Sequence, residues 1–320
     1  MCYFYRIFGQ IIKSNYNLPK IPCLSASQDD CIQLTFHENE DELQSNLSRL
    51  DIIYSIPQRN VSDIPAYEIK KQNNENTFLF TYALKNKKAD FLYNGSTDQV
   101  DIYQSKHVKI NELYPVLLGS FAGAVLRLKN IYILHGTTLT NHFQTLTICG
   151  ESGAGKSTLA AYFLHKGFSL VCDDLTVFTD SDQPETYRSF PSIRLSQDTR
   201  DFCLPSYRKL FWESAGNKME KRYYETPNFA NTETVRPNVI VHLNRFDNRL
   251  NSPQITEVKS SQKILTLIQQ SYGNHILSSE QRKAEFIYIK KLLSIPMYTI
   301  TQPKDFSCLE KTCAEIMNLM

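Results

Sequence analysis

The sequence predicts an α/β domain organised around a phosphate-binding loop and preceded by a β-rich N-terminal domain. Two observations lead to this fold class. Residues 149–163, CGESGAGKSTLAAYF, place a glycine-rich loop between a strand-like run and a helix-like run. About a hundred residues before it consist mainly of short alternating or aromatic runs. We therefore place the domain boundary between residues 108 and 109, with 1–108 as the β-rich domain and 109–320 as the α/β domain.

Short strands are predicted throughout the N-terminal domain. Polar or Asn/Gly breaks separate them, and Asn94-Gly95 is a typical hairpin signal. The predicted strands are CIQLTF (31–36), AYEIK (66–70), TFLFTYA (77–83), DFLYN (90–94) and QVDIYQ (99–104). We expect an antiparallel β domain, for which substrate docking is the candidate role.

Helical and strand-like runs alternate in the second domain. Buried or amphipathic helices are expected at 114–126, at about 155–166, and in QKILTLIQQ, RKAEFIYIKKLL and CLEKTCAEIMNL. Strands are expected in NIYILHG, LTICG, SLVCDD, NVIVHLNR and MYTIT. The long polar segment 214–237 is predicted to be either disordered or a functional lid.

The composition is that of a globular protein with balanced charge. Of the 320 residues, 42% are apolar and 21% are charged, and the net charge is +2. This balance gives no electrostatic case for nucleic acid or a membrane as partner. The N-terminal residues lack an apolar core of signal-peptide length, and the eight cysteines form no C-x-x-C pair. We therefore expect a cytoplasmic protein with reduced cysteines.

The glycine-rich loop carries the strongest chemical signal. The pattern G-x-x-x-x-G-K-S lets backbone N–H groups and a helix N-terminus face phosphate oxygens. The lysine adds a charge at the β- and γ-phosphates, and the serine hydroxyl is a ligand for Mg²⁺. The predicted nucleotide-binding residues are Gly150, Glu151, Ser152, Gly153, Ala154, Gly155, Lys156, Ser157 and Thr158.

Two adjacent carboxylates follow the predicted strand after the loop helix. Asp173 and Asp174 stand where a metal-binding or catalytic aspartate can reach a γ-phosphate. On a regular strand the two side chains point to opposite faces, so at most one of them faces the site. His135 ends an earlier predicted strand, and taken alone such a histidine is usually structural.

Three elements together resemble the HPr kinase/phosphorylase family. These are His135-Gly136, the GESGAGKS loop, and the pair Asp173-Asp174, at spacings similar to those of the family. The resemblance covers about 110–320 and is strongest over 131–178. The fold it implies is an HPr kinase/PEP carboxykinase-like P-loop domain. The segments FGQIIKSNYNLPKI and IPMYTITQPKDF are also similar to a subgroup that phosphorylates lasso-peptide precursors.

The resemblance implies transfer of a phosphoryl group from ATP to a serine hydroxyl of a peptide or small protein. Asp173 would then be the general base, and His135 would hydrogen-bond and position it. Asp174 and Ser157 would hold Mg²⁺, although the roles of the two aspartates could be exchanged. A homo-oligomer is also implied, since HPr kinases assemble as hexamers.

The chain departs from the family pattern at two places. Thr158 stands where the family usually has Glu, and the downstream E-I-R-G signature is reduced to Ser192-Ile193-Arg194. These departures weaken the case for HPr as substrate and for reverse phosphorolysis. Arg194, and Arg222 with its neighbour Lys221, are candidates for neutralising phosphate charge.

Two alternative functions remain open from the sequence. One is a small-molecule kinase or an enzyme similar to the PEP carboxykinases, although the basic residues needed to hold a di-acid are not evident. The other is a nucleotide-sensing binding protein without transfer activity. A protein that only binds nucleotide has no need of a base, so His135, Lys156, Ser157 and Asp173 favour an enzyme.

Overall fold

The computed structural model describes most of the chain as two compact units. It describes residues 2–25, 30–37, 43, 50–57, 66–72, 76–84, 87–105, 108–141, 143–210 and 221–320. The first unit runs to Lys129, and the second comprises Asn130–Leu210 and the described residues after 220. Part of the predicted polar segment, 214–220, lies outside the described residues.

The first unit contains a sheet of eight strands. The strands are β1 (Tyr3–Ile7), β2 (Gln10–Ser14), β3 (Ile32–His37), β4 (Leu50–Ile56), β5 (Tyr67–Gln72), β6 (Thr77–Leu84), β7 (Lys87–Asn94) and β8 (Gln99–Gln104). Their order across the sheet is β1-β2-β3-β8-β7-β6-β5-β4.

This sheet is mixed, so the prediction of an antiparallel domain is wrong in part. β3 is parallel to both of its neighbours, β2 and β8, whereas the other pairs are antiparallel. The connection between Ser14 and Ile32 is longer than a hairpin turn, and parallel pairing requires such a long connection. The predicted hairpin after Asn94 is confirmed, because Asn94 pairs with Gln99.

A helical segment completes the first unit. It consists of α1 (Ile110–Pro115), a π-helical stretch (Val116–Phe121) and α2 (Ala122–Leu128). The π-helical stretch directly follows Pro115, which has no N–H to donate to a regular helix. The Phe121 ring lies 5.2 Å from the Phe80 ring and 4.7 Å from the Phe91 ring. This packing attaches the segment to the first sheet, so the units divide at 129/130 rather than at 108/109.

The second unit is an α/β assembly. Its main strands are β9 (Ile133–Thr140), β10 (Thr145–Gly150), β11 (Ser169–Cys172), β12 (Leu175–Val177), β17 (Val239–Leu243), β18 (Gln254–Glu257) and β19 (Met297–Thr301). Its α-helices are α3 (Lys156–His165), α4 (Gln197–Cys203), α5 (Ser260–Gln269), α6 (Ser279–Leu292) and α7 (Leu309–Met317). Short 3₁₀ turns lie at Asn274–Ile276 and Phe306–Cys308.

The main sheet of the second unit has the order β11-β9-β10-β17-β19-β18, with β12 also beside β9. β10, β17 and β19 run parallel, whereas β9 and β18 are antiparallel to their neighbours. Ile148 packs with Phe163 and Ile316 on one face, while the next residue, Cys149, packs with Leu267 on the other. Both faces are therefore covered by helices, as α/β packing requires.

Two short ribbons lie outside the main sheet. β14 (Ser192–Leu195) pairs with β15 (Arg222–Glu225), and β13 (Thr186–Tyr187) pairs with β16 (Thr234–Val235). The prediction of disorder is therefore wrong for 221–237, whose residues form two of these strands. Within the described ranges, the helices are too short or too polar to span a lipid bilayer.

Candidate active site

The glycine-rich motif connects the end of β10 to the start of α3. Gly150 has a φ of 141°, and a Cβ atom there would lie 2.5 Å from the carbonyl oxygen of Leu243. Gly155 caps the N-terminus of α3 with a φ of 97°. Residues with a side chain rarely adopt these angles, so the turn from strand to helix depends on glycine at both positions.

The side chain of Lys156 lies against the beginning of the loop. Its Nζ donates to the carbonyl oxygens of Gly150, at 2.7 Å, and Glu151, at 3.1 Å. The residue is only 8% exposed. Burial lowers the pKa of this ammonium group, and the nearby Asp174 carboxylate opposes the shift. A cation is therefore held inside the loop, close to the aspartate pair.

The other predicted loop residues differ in their surroundings. Ala154 is buried, and its N–H donates to the Glu151 carbonyl oxygen at 3.2 Å, whereas Ser152 and Gly153 are exposed. The Thr158 hydroxyl lies 3.1 Å from that of Thr199 on α4. The loop is thus anchored at its helical end and open to solvent at its centre.

Two basic side chains contact the motif from elsewhere in the chain. Lys221 Nζ donates to Ser157 Oγ at 3.2 Å. Arg245 Nε donates to Glu151 Oε2 at 2.7 Å in a well-exposed ion pair. Lys221 is the sequence neighbour of the predicted Arg222, which begins β15 and pairs with Leu195. The Lys221 contact adds a second ammonium group at the helical end of the loop.

The two aspartates lie in a break between β11 and β12. Both of these strands pair with β9, and Asp174 between them has a φ of 62°. The Asp174 carbonyl oxygen accepts a hydrogen bond from Gly136 N–H at 3.2 Å. The alternation expected of a regular strand therefore does not apply to this pair, because the chain turns at Asp174.

Both carboxylate oxygens of Asp173 are hydrogen-bonded. Thr137 Oγ1 donates to Oδ1 at 2.6 Å, and the Arg194 backbone N–H donates to Oδ2 at 2.9 Å. Burial, reinforced by the negative charge of Asp174, raises the pKa of Asp173 to about 6. The carboxylate is thus fixed in place and is more basic than an ordinary aspartate.

The imidazole of His135 contacts the backbone of the pair rather than the Asp173 carboxylate. Its Nδ1 lies 3.2 Å from the Asp174 carbonyl oxygen. Burial lowers the pKa of His135, and the charge of Lys156 lowers it further. His135 and Thr137 lie on the same face of β9, and it is Thr137 that reaches the Asp173 carboxylate. This differs from the expected contact of His135 with Asp173.

Arg194 contributes to the site through its backbone. It lies in β14 opposite Tyr223 of β15, and its guanidinium lies 5.9 Å from the Tyr223 ring centre. The charge-neutralising roles of the Arg194 and Arg222 side chains stay predictions. The β14–β15 ribbon nevertheless brings two contacts of the site together. The backbone N–H of Arg194 in β14 holds Asp173, and the ammonium group of the residue just before β15 contacts Ser157.

Two further residues of the site, Gln270 and Thr137, were not predicted from the sequence. Gln270 accepts a hydrogen bond from Gly150 N–H through Oε1 at 3.1 Å, and its carbonyl oxygen accepts one from His135 N–H at 2.8 Å. It therefore joins the loop to β9. No motif marks Gln270, which lies 120 positions after Gly150. Thr137 could have been found from the sequence, because a strand residue two positions from His135 lies on the same face of the strand.

An open cleft adjoins the beginning of the loop. Its volume is about 400 Å³, and it is lined by His135, Arg245 and residues 150–152 and 269–271. Asp173 and Asp174 are not among these lining residues. The histidine at its wall nevertheless contacts the Asp174 backbone, so the cleft lies next to the aspartate pair.

The site offers oxygen ligands for a hard cation. The described part of the chain contains no cluster of three or more His, Cys, Asp or Glu residues suited to a metal. Ser157 and Asp174 are the predicted metal ligands, and hydroxyl and carboxylate oxygens are the types that Mg²⁺ takes, usually together with substrate phosphates. The donor types therefore fit magnesium bound jointly with a nucleotide.

No family model matches the chain, and no curated protein matches it. Among solved structures, the chain is similar to the Hpr(Ser) kinase/phosphatase from Coxiella burnetii, with 13% sequence identity and a TM-score of 0.30. That similarity covers 58% of this chain and 94% of the Coxiella chain.

Proposed function

We propose that the protein is an ATP- and Mg²⁺-dependent kinase that transfers the γ-phosphoryl group to a serine hydroxyl of a peptide or small protein. One observation carries this proposal. A strand–loop–helix turn with a buried lysine lies beside a carboxylate pair, because Gln270 hydrogen-bonds to the loop and to His135, and His135 contacts the Asp174 carbonyl oxygen. A phosphate-binding loop facing a positioned base is the arrangement that phosphoryl transfer needs.

ATP would be held by the loop residues. The N–H groups of the loop and the N-terminus of α3 favour bound phosphate oxygens, as at other helix N-termini. Lys156 and Lys221 supply two ammonium groups beside the loop. Ser157 and Asp174 would hold Mg²⁺, which neutralises charge on the β- and γ-phosphates when it is bound.

Asp173 would accept the proton of the acceptor hydroxyl. The serine oxygen forms a bond to the γ-phosphorus as the bond from that phosphorus to the bridging oxygen of ADP breaks. The serine proton passes to the Asp173 carboxylate, and ADP leaves with its charge neutralised by the loop. A pKa of about 6 suits this role better than that of an ordinary aspartate. Thr137 and the Arg194 N–H hold the carboxylate in one orientation.

The proposed acceptor is a serine in a polypeptide, and a lasso-type precursor peptide is the specific candidate. This choice rests on the sequence resemblance described above. The departures at Thr158 and at Ser192-Ile193-Arg194 favour a substrate other than HPr. Localisation in the cytoplasm and assembly into homo-oligomers stay predictions, as does the lack of nucleic-acid and membrane partners.

The test combines product detection with nucleotide binding. The purified chain is incubated with Mg²⁺, ATP and a set of serine-containing peptides that includes lasso-type precursors. We expect a mass gain of one phosphate on serine, and we expect Asp173→Asn to reduce its rate strongly while ATP binding persists. Binding of ATP without any phosphorylated peptide would contradict the peptide-kinase proposal and favour a small-molecule acceptor or a nucleotide sensor.

A further inference from the structure

The cleft of about 400 Å³ shares residues 150–152 with the predicted phosphate-binding loop, but its other walls lie outside that loop. Its walls come from the first loop residues, from β9 at His135, from the end of α5 and the two residues after it, and from Arg245. The volume falls within the range of about 300–1,000 Å³ that is usual for ligand pockets. The cleft is therefore large enough for a ligand of its own.

The contacts of Lys156 indicate which end of a bound nucleotide would meet this cleft. The lysine of such a loop reaches the β- and γ-phosphates. Here its Nζ lies against the carbonyl oxygens of Gly150 and Glu151, at the start of the loop. Gly150 and Glu151 also line the cleft. The cleft thus opens at the γ-phosphoryl end of the site, which is the side from which an acceptor must approach.

The chemistry of the walls argues against an adenine ring as the occupant. Among the described residues that line the cleft, none has an aliphatic or phenyl side chain. A purine base is usually held by apolar or aromatic surfaces. The rim charges are balanced, since Glu151 is paired with Arg245. A neutral polar wall suits a ligand that forms hydrogen bonds and carries little charge.

Residues 269–271 offer groups that match a peptide backbone. Gln269 is exposed and carries an amide that can both donate and accept. Ser271 is largely buried, and its hydroxyl donates to Glu285, which leaves its oxygen lone pairs able to accept an N–H. Main-chain peptide groups present one donor and one acceptor per residue, so this wall is complementary to an extended segment.

We propose that the cleft binds an extended segment of polypeptide and delivers its serine hydroxyl past His135 to the aspartate pair. This inference rests on the proposed kinase function and names the site of its acceptor. Gln269 and Ser271 contact the backbone of the segment, while the loop holds the nucleotide. A free amino acid lacks the flanking peptide groups and binds more weakly.

The experiment places a bulky side chain in the cleft of the full chain. Gln269→Trp fills the cleft, Gln269→Ala removes one amide, and Gln262→Trp is the matched control on the same helix. The acceptor probes are a degenerate peptide library with one central serine and blocked termini, and free L-serine. Transfer is followed with labelled ATP, and ATP affinity and thermal unfolding are measured for each variant.

We expect Gln269→Trp to lower kcat/KM for the peptide library about 100-fold, as misplacement of a substrate does. The loss in Gln269→Ala should be roughly three- to tenfold, as for one neutral hydrogen bond. ATP affinity should stay the same in both, and Gln262→Trp should behave as the unchanged chain. Free L-serine should be a poor acceptor for every form.

Three results would overturn the proposal but leave the kinase function standing. Unchanged peptide transfer in Gln269→Trp would show that the acceptor lies elsewhere, and a parallel loss of ATP affinity would make the cleft part of the nucleotide site. Equal transfer to free L-serine would exclude a peptide segment as the required occupant. Failure of the unchanged chain to bind ATP would refute the kinase function itself, and the acceptor cleft with it; the ATP titration separates that outcome from the other three.

Discussion

The loop and the aspartate pair in the candidate site are built in different ways. Residues 150–158 form the loop from consecutive positions, between one strand and the helix that follows it. The surroundings of Asp173 come from separate segments, because Thr137 lies on β9 and Arg194 on β14. A local motif should therefore control nucleotide binding, whereas an assembled environment should control the transfer step alone.

Replacement of Lys156 should have the largest effect and should affect both functions. Lys156→Ala removes a buried charge from the loop, and we expect transfer to fall about 10³-fold because developing phosphate charge loses its stabilisation. ATP affinity should also weaken. Both are measured by steady-state kinetics and ATP titration. Lys166→Ala, just after the other end of α3, is the matched control and should change neither.

Replacement of Asp173 should separate the two parts of the site. In Asp173→Asn the proposed base is lost, and we expect transfer to fall by about 10²-fold while ATP affinity is retained. Isothermal titration with ATP and a phosphopeptide assay check this expectation. Asp182→Asn, at an exposed position, serves as control. A variant that transfers phosphate normally would remove Asp173 from the role of base, and Asp174→Asn would then be the next test.

Lys221 tests whether a distant segment contributes to the local loop. Lys221→Met removes the ammonium group that contacts Ser157 Oγ, and we expect about a tenfold or greater loss of kcat/KM for ATP. Lys221→Arg should restore part of the activity because it keeps the charge. Lys209→Met, at an exposed position near β15, is the control. Identical kinetics for Lys221→Met and Lys209→Met would mean that only the contiguous motif binds phosphate.

Replacement of Thr137 tests a single hydrogen bond in the surroundings of Asp173. Thr137→Val keeps the shape of the side chain but removes the hydrogen bond to Asp173 Oδ1. We expect kcat to fall roughly three- to tenfold, with no change in ATP affinity, because one positioning hydrogen bond is lost. Thr137→Ser retains the hydroxyl and should recover most of the rate. Equal rates for the valine and serine variants would mean that the hydroxyl does not position the base.

The same contrast explains how much could be predicted from the sequence. The glycine loop, α3 and most strands of the main sheet of the second unit could be predicted, because periodicity and the glycine positions are local signals. The contacts of His135 and Gln270 could not, because they depend on the pairing of β9 and on a residue far along the chain. Thr137 could be placed on the same face of β9 as His135, but its contact with Asp173 could not be predicted, because it depends on which strands pair with β9. The parallel pairs of β3 and the placement of 110–128 on the first sheet were missed for the same reason. These features are set by tertiary packing.

The smallest expected effect concerns the charge of Asp173 in the metal-free protein. Its folded pKa of about 6 lies above the unfolded value of about 3.9. The folded state therefore binds more protons between these values, and the contribution of Asp173 to stability declines as pH rises from about 4 to about 6. With EDTA present, the Tm of the unchanged chain, compared with that of Asp173→Asn, should fall by a few degrees as the pH rises over this interval. Above pH 6 the two curves of Tm against pH should run parallel. Parallel curves over the whole interval would mean that Asp173 titrates as an ordinary aspartate. The assembled environment would then position the carboxylate without making it more basic.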